Sequence, residues 1–298
     1  MTTQTTRLAI GEFPPPIAIL PVAQPHEFTI VFLHGRGFNA NKFHRPLLET
    51  NIGALTFQEA LPRTRFVFPT APLSRATKYR RTLMHQWYDG TGDWEPEARG
   101  GMRPSVEYIH DLIRSEIEIV GGDAKRIVLA GFSQGCAMAL MSGLLWDGDP
   151  LGAFVGLCGF MPLANHLLSI FDGNLMASEE DGFEFCVDEE SPDPGENSES
   201  LTTHQVILDQ LCEEAEFPRL QPSPGFQFSP IPVYLGHGRT DPEVEIRHAS
   251  QAASVLGKMR MDVEFHVYDG LHHWYSPDML MDVVEFLEKH LKIQPNTT

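Results

Sequence analysis

The most constraining feature of the sequence is a very short turn between an apolar run and a helical run. Residues 126–132 (R-I-V-L-A-G-F) are almost entirely apolar, which is typical of a strand buried on both faces. Residues 134–146 predict a largely apolar helix, so Ser133 alone separates the two elements. A strand that runs directly into a helix is typical of a βα unit, in which the helix packs back on the sheet. This junction therefore predicts an α/β fold.

The same alternation of strand and helix continues along the chain. Apolar residues follow the period of each element at several further places, with strands predicted at 28–33, 65–68, 153–158, 231–235 and 263–267, and helices at 103–120, 244–256 and 278–291. Residues 1–27 are rich in Thr and Pro and predict an extended arm with at most one edge strand. Residues 28–298 then predict a single domain whose mostly parallel central sheet is flanked by helices.

One acidic segment departs from this alternation. Residues 172–217 contain fifteen acidic residues and no Lys or Arg, in a chain with a formal net charge of -18. Residues 179–200 have few apolar side chains, whereas 203–217 carry apolar residues at helical spacing. We interpret residues 164–230 as an acidic, partly helical insertion and a candidate lid, because the segment follows the carboxyl end of a strand. The alternative is a solvated excursion with no catalytic role.

Charge and cysteine spacing exclude several classes of function. The chain has 22 Lys and Arg against 40 Asp and Glu, so its net charge is negative. A negative net charge disfavours binding to nucleic acid or to an anionic membrane. The four cysteines lie at least 22 residues apart, so no zinc or redox spacing is present, and a reduced compartment is favoured. No apolar stretch resembles a signal peptide or a spanning helix. We expect a cytoplasmic protein without stable membrane insertion, and leave its oligomeric state open.

Ser133 is the first candidate catalytic residue. It lies in G-F-S-Q-G at 131–135, which fits G-x-S-x-G where that motif must lie, between a strand and a helix. A serine nucleophile requires a base and an acid that orients the base. Asp241 follows one predicted strand, and the His272–His273 pair follows the next, in the order expected of an α/β-hydrolase triad. A capping serine, a turn aspartate and a loop histidine are the alternatives, but their shared position at strand ends favours catalysis.

Two backbone N–H groups are needed to stabilise the oxyanion that forms on the attacked carbonyl. Gln134 offers one at the start of a helix, and Arg36 in H-G-R-G offers the other in the loop after the strand at 28–33. Residues 35–40 also fit the dinucleotide fingerprint G-x-G-x-x-A. That fingerprint needs an acid at the end of a second strand about 20 residues on. Because Glu59 lies in a helix-like stretch instead, we reject the dinucleotide interpretation.

Six short motifs are spread along the chain: L-H-G-R-G at 33–37, P-T-A-P at 69–72, W-Y-D at 87–89, G-F-S-Q-G at 131–135, G-H-G-x-x-D at 236–241 and G-L-x-H-W at 270–274. Together these motifs resemble the phospholipase/carboxylesterase family, which contains the acyl-protein thioesterases. The resemblance implies the α/β-hydrolase fold. It also implies Ser133 as nucleophile, Asp241 as acid and His273 as base. The amides of Arg36 and Gln134 would be the oxyanion donors.

The resemblance also bears on the histidine pair and on the acyl pocket. The family spacing Gly-x-x-His runs from Gly270 to His273, and His272 stays the alternative base because a one-residue shift of register exchanges the two. Family members bind acyl chains in an apolar channel beside the serine. This implies Trp87 and Phe160 as substrate-binding residues, with core packing as the alternative for each.

The sequence therefore predicts a serine hydrolase that cleaves carboxylic ester or thioester bonds through an acyl-enzyme, with no cofactor and no metal. Its substrate would be a small-molecule or lipid-like acyl ester or thioester. One alternative is a transferase or macrolactone-forming thioesterase, in which a hydroxyl resolves the acyl-enzyme. Another is a non-catalytic binding protein on the same fold, which would normally lack one triad residue. The acidic insertion, if it lies near the entrance, weakly favours neutral esters.

Overall fold

The computed structural model describes residues 9–90, 99–173, 202–221 and 228–293. The strands are β1 (Ile17–Ile19), β2 (Phe28–Leu33), β3 (Asn51–Ile52), β4 (Leu55–Thr56), β5 (Thr64–Phe68), β6 (Leu73–Ala76), β7 (Thr82–His85), β8 (Asp89–Gly90), β9 (Arg99–Gly100), β10 (Ile127–Phe132), β11 (Ala153–Leu157), β12 (Pro232–Gly238) and β13 (Asp262–Tyr268). The helices are α1 (Ala40–Leu48), α2 (Phe57–Ala60), α3 (Arg103–Ile119), α4 (Gln134–Leu144), α5 (Ala164–Phe171), α6 (Thr203–Glu214), α7 (Ile246–Lys258) and α8 (Pro277–Leu291).

A seven-stranded sheet organises the described part of the chain, in the order β1-β5-β2-β10-β11-β12-β13. Each neighbouring pair is parallel except β1 and β5. The predicted α/β-hydrolase class, a mostly parallel sheet flanked by helices, is confirmed. Strand β1 places part of the predicted arm at the edge of the sheet, where Ile17 pairs with Phe68.

Both faces of the sheet are covered at its centre, which explains why strands such as β2 and β10 are largely apolar. In β2, Val31 and Leu33 belong to one hydrophobic cluster, together with buried side chains of α3, α4 and α7. Ile30 and Phe32 point the other way, into a second cluster with side chains of α1 and α8. Successive side chains of a strand alternate between faces, so a strand buried on both sides shows no regular alternation of polar and apolar positions.

The described parts of the insertion form helices that pack on the core. Helix α6 begins with a capping box between Thr202 and Gln205, and this confirms the predicted helix in that region. Its Ile207 and Leu211 are fully buried in the same cluster as α4. Asp172, at the end of α5, accepts a hydrogen bond from Lys258 of α7 at 2.7 Å. The acidic stretch 179–200 lies outside the described residues.

The carboxyl ends of the parallel strands lie along one edge of the sheet. Strands β2, β10, β11, β12 and β13 are consecutive neighbours there. The loops after β2, β10, β12 and β13 carry Arg36, Ser133, Asp241 and His273 respectively. The topology therefore brings the predicted site residues to the same edge. Within the described ranges, no helix is both long and apolar enough to cross a membrane.

Candidate active site

Ser133 lies in a strained turn between β10 and α4. Its φ of 55° and ψ of -122° are unusual for a residue with a side chain. The flanking glycines make this turn possible: a Cβ on Gly131 would lie 2.1 Å from the Gly135 carbonyl oxygen. A Cβ on Gly135 would lie 2.3 Å from the Leu33 carbonyl oxygen. Backbone therefore packs directly against backbone on both sides of the serine, as the G-x-S-x-G pattern predicts.

The three residues predicted as a triad are hydrogen-bonded in series. The Ser133 Oγ lies 2.9 Å from His273 Nε2, and His273 Nδ1 lies 2.7 Å from Asp241 Oδ2. A carboxylate only accepts, so Nδ1–H donates to Asp241 and leaves Nε2 to accept the Ser133 proton. His272 is exposed, and its Nδ1 lies 3.0 Å from the carbonyl oxygen of Thr240. Of the two neighbouring histidines, His273 has the geometry of a base for Ser133.

Asp241 is held ionised by hydrogen bonds from His273 and from the backbone of its own turn. Its Oδ1 accepts the backbone N–H groups of Glu243 at 2.9 Å and Val244 at 3.0 Å. Burial acts to raise the pKa of Asp241, but hydrogen bonds from His273 and the Val244 amide outweigh burial and lower that pKa overall. His237 donates from Nε2 to the Val244 carbonyl at 2.8 Å and braces the same turn. Asp241 can therefore orient and stabilise a charged imidazole.

The Gln134 amide is the first of the two predicted oxyanion donors. As the first residue of α4, Gln134 has a backbone N–H with no partner inside the helix. Its buried side chain ties the elbow to a neighbouring loop, because Oε1 accepts the Trp87 N–H at 3.1 Å and Nε2 donates to the Tyr88 carbonyl at 2.9 Å. Helix geometry and these bonds together fix the orientation of the amide.

The second predicted donor, the Arg36 amide, follows Gly35 in the loop after β2. A Cβ on Gly35 would lie 3.0 Å from the Phe132 ring and 3.3 Å from the Ser133 Cβ. The chain at Gly35 therefore passes directly beside the nucleophile. Arg36 lines the same cleft as Ser133 and Gln134.

A cleft of about 180 Å³ opens at Ser133, and the described residues that line it are Arg36, Lys78, Tyr79, Ser133, Gln134, Phe160, Glu243, Val244 and His273. Phe160 thus lines the same cleft as Ser133. Trp87 is 1% exposed and lies behind the cleft wall, where its indole N–H donates to the His34 carbonyl at 2.7 Å. A substrate-binding role stays a prediction for both aromatic residues. None of the described insertion residues is part of this lining.

The sequence patterns did not indicate four of the lining residues. Glu243 and Val244 belong to the turn that holds Asp241, so their position close after the predicted acid was an available signal. Lys78 and Tyr79 lie between the hairpin strands β6 and β7, which are short and only partly buried. A partly buried hairpin with strands of four residues is too short to show a clear hydrophobic period, so the sequence offered no signal for it.

Cys136, two residues beyond Gln134, is not a second nucleophile. It is 1% exposed, and burial raises the pKa of its thiol to about 12. Burial also raises the pKa of Cys158 to about 12. In the described ranges the cysteines are free, and all three are buried. Such thiols stay protonated and behave as small apolar side chains.

Comparison with known proteins agrees with the geometry. The phospholipase/carboxylesterase family matches residues 16–175 and 218–291, and the gap between the two matched ranges lies within the insertion. Acyl-protein thioesterase 1 of Debaryomyces hansenii is 25% identical over 283 residues, 93% of this chain and 97% of the relative. The Kluyveromyces lactis acyl-protein thioesterase 1 is 27% identical over 285 residues, 93% and 98% of the two chains.

Solved structures show the same fold. The crystal structure of Zea mays acyl-protein thioesterase 2 superimposes with a TM-score of 0.60 at 23% identity, covering 93% of this chain and 98% of the maize chain. The fold, the match over most of the chain and the relatives together identify an esterase- or thioesterase-type enzyme. The chain belongs to the phospholipase/carboxylesterase family.

Proposed function

We propose that this protein hydrolyses carboxylic esters or thioesters of small or lipid-like acyl groups by a serine mechanism. Ser133 attacks the acyl carbonyl, and His273 takes the serine proton and returns it to the leaving group. Asp241 orients the imidazole, and the amides of Gln134 and Arg36 stabilise the oxyanion. Water, activated by His273, then releases the acid from the acyl-enzyme. No step requires a metal or a cofactor.

One observation carries this proposal: the unbroken series of hydrogen bonds from Ser133 through His273 to Asp241, at 2.9 and 2.7 Å. Each bond lies within the range expected of a working nucleophile and base. The strained backbone of Ser133 adds support, because strain of this kind is concentrated at functional sites. The names of the relatives support acyl thioesters as one substrate class.

Turnover of a panel of p-nitrophenyl esters and acyl thioesters of increasing chain length tests the proposal. Ser133→Ala should reduce kcat by about 10⁴-fold or more without unfolding the chain, because the serine contributes covalently. Ser115→Ala, on the exposed face of α3, is the matched control and should retain full activity. A fluorophosphonate should label Ser133. If Ser133→Ala retains a hundredth of the activity, the serine mechanism is wrong.

The proposed reaction uses water, and not an alcohol, as the acceptor of the acyl group. Product analysis in the presence of a competing alcohol distinguishes hydrolysis from acyl transfer, because transfer yields the new ester instead of the free acid.

We also propose a cytoplasmic location, supported by free, buried cysteines in the described ranges, which fit a reducing compartment. Fractionation of cells that produce the protein, with blotting of each fraction, tests the location.

A further inference from the structure

A buried histidine that takes no part in the proposed chemistry lies next to the Arg36 loop. His34, directly after β2, is 0% exposed. Its Nε2 lies 3.0 Å from the backbone nitrogen of Ala71, and its Nδ1 lies 2.8 Å from the carbonyl oxygen of Gly35. Both ring nitrogens therefore have backbone partners, and the ring connects two loops at the edge of the cleft.

The two partners determine the tautomer of His34. A backbone N–H only donates, so Nε2 must accept the Ala71 N–H and carry no proton. The proton then lies on Nδ1, which donates to the Gly35 carbonyl. Burial lowers the pKa of His34 to about 4, so the ring stays neutral at the pH at which esterases are assayed. The donor to Gly35 is thus permanent near neutral pH.

The Gly35 carbonyl and the Arg36 N–H belong to one peptide plane. In a trans peptide these two groups point in opposite directions, so an anchor on the carbonyl also fixes the direction of the N–H. The Gly35 carbonyl is anchored twice, by His34 Nδ1 and by the Phe38 N–H at 3.1 Å. The Gly37 N–H donates to the His85 carbonyl at 2.8 Å and holds the next residue of the same loop.

We propose that His34 is a positioning residue of the oxyanion site: its Nδ1–H holds the Gly35–Arg36 peptide so that the Arg36 N–H faces the cleft. The inference rests on the proposed serine mechanism and deepens it. Without the His34 bond, the Phe38 N–H at 3.1 Å is the remaining anchor described for this carbonyl, so the peptide is freer to rotate. Rotation by half a turn would direct the carbonyl oxygen, an acceptor instead of a donor, at the oxyanion. His34 touches no reacting atom and acts only through the peptide.

Two substitutions separate the two bonds of His34. Asparagine places an amide N–H near the position of Nδ1, so His34→Asn can still donate to the Gly35 carbonyl. Glutamine places its amide near Nε2, so His34→Gln keeps the Ala71 contact and loses the anchor on Gly35. Loss of one oxyanion donor typically reduces kcat by 10²- to 10³-fold. We expect kcat for p-nitrophenyl butyrate to fall about 100-fold in His34→Gln and about threefold in His34→Asn, with KM nearly unchanged.

An alkyl trifluoromethyl ketone supplies a measurement that a purely structural role would not change. The Ser133 oxygen adds to its carbonyl carbon, the serine proton passes to His273, and the ketone oxygen becomes an oxyanion at the site of the proposed donors. Because such adducts mimic the transition state, the inhibition constant should rise in His34→Gln by the same factor by which kcat/KM falls. Titration of active sites with a fluorophosphonate corrects each rate for the folded fraction.

His110→Asn is the matched control, since His110 is also buried and also bonds to a backbone carbonyl, that of Ser142 at 2.8 Å, but is not part of the cleft lining. It should lower the thermal midpoint and leave the rate per active site within about twofold. Equal rates per active site for His34→Gln and His34→Asn, or an inhibition constant that does not follow kcat/KM, would overturn the proposal. If instead the wild type and Ser133→Ala are equally active, the serine mechanism itself fails.

Discussion

The elbow at Ser133 and the loop at Arg36 face the same cleft, yet different interactions hold them. The elbow is fixed by backbone packing, because Gly131 and Gly135 leave no room for even one methyl group. The loop is fixed by individual hydrogen bonds, two made by the His34 side chain and two donated by the backbone N–H groups of Gly37 and Phe38. The steric packing at the elbow cannot be changed without moving a strand or a helix, whereas a hydrogen bond from one side chain can be removed by a single substitution.

This difference separates stability from catalysis. A side chain added at either elbow glycine must move β10 against α4, so it should affect folding and activity together. A change in the loops should affect activity far more than folding, because the sheet does not depend on the loops. The two regions should therefore respond differently to substitution.

The largest effect is expected at the elbow. In Gly131→Ala the new methyl would lie 2.1 Å from the Gly135 carbonyl oxygen, so α4 must shift. We expect a loss of about 3 kcal/mol in the free energy of unfolding together with loss of esterase activity. Gly257→Ala is the control, because its Cβ has no neighbour within 4 Å in α7, and it should be neutral or slightly stabilising. Chemical denaturation and ester assays measure both; a stable, active Gly131→Ala would contradict the steric account.

The loop after β13 should show the opposite behaviour. His273→Ala removes the base and should lower kcat by about 10⁴-fold with little change in stability. His272→Ala removes only an exposed ring that contacts the Thr240 carbonyl, so we expect less than about a threefold change. Steady-state kinetics and thermal unfolding of both variants measure this contrast. The reverse ranking would mean that the register of this loop is misassigned.

The buried His34 of the Arg36 loop should make the free energy of unfolding depend on pH. Because burial lowers its pKa from 6.5 to about 4, the unfolded chain binds a proton at higher pH than the folded chain does. Acidification from pH 7 to pH 4 should therefore cost the folded state about 3 kcal/mol at this residue. In His34→Gln that contribution disappears, so stability should fall less steeply with acid than in the wild type. Parallel curves from denaturation at several pH values would contradict a buried, neutral His34.

The sequence predicted those parts of the fold and the site that depend on backbone geometry and on the burial of apolar side chains. Strand β2 matched its predicted bounds because every residue faces a packed layer. Strand β12 continues past the predicted end at Leu235, because Gly236, His237 and Gly238 pair with β13, whereas glycines in sequence indicate a turn. The position of Trp87 behind the cleft wall could not be predicted, since it depends on a hydrogen bond to His34, which is distant in sequence.

The smallest effect is expected at the acidic insertion, residues 164–230, which stays a candidate lid. Its described helices α5 and α6 pack on the core, and the described residues that line the cleft come from elsewhere in the chain. The stretch 179–199 carries no Lys or Arg and few apolar side chains, so its deletion should leave the fold intact.

If the stretch covers the cleft entrance, its deletion should change the ratio of long-chain to short-chain ester turnover by about threefold. A second variant, in which every Asp and Glu of 179–199 becomes Asn or Gln, keeps the length and removes the charge. A change in the deletion alone indicates a steric lid, whereas a change in both that disappears at high salt indicates an electrostatic effect on the substrate. If neither variant alters kcat/KM or chain-length preference at low or high salt, the insertion is no lid, and access to Ser133 depends on the loops of the sheet edge alone.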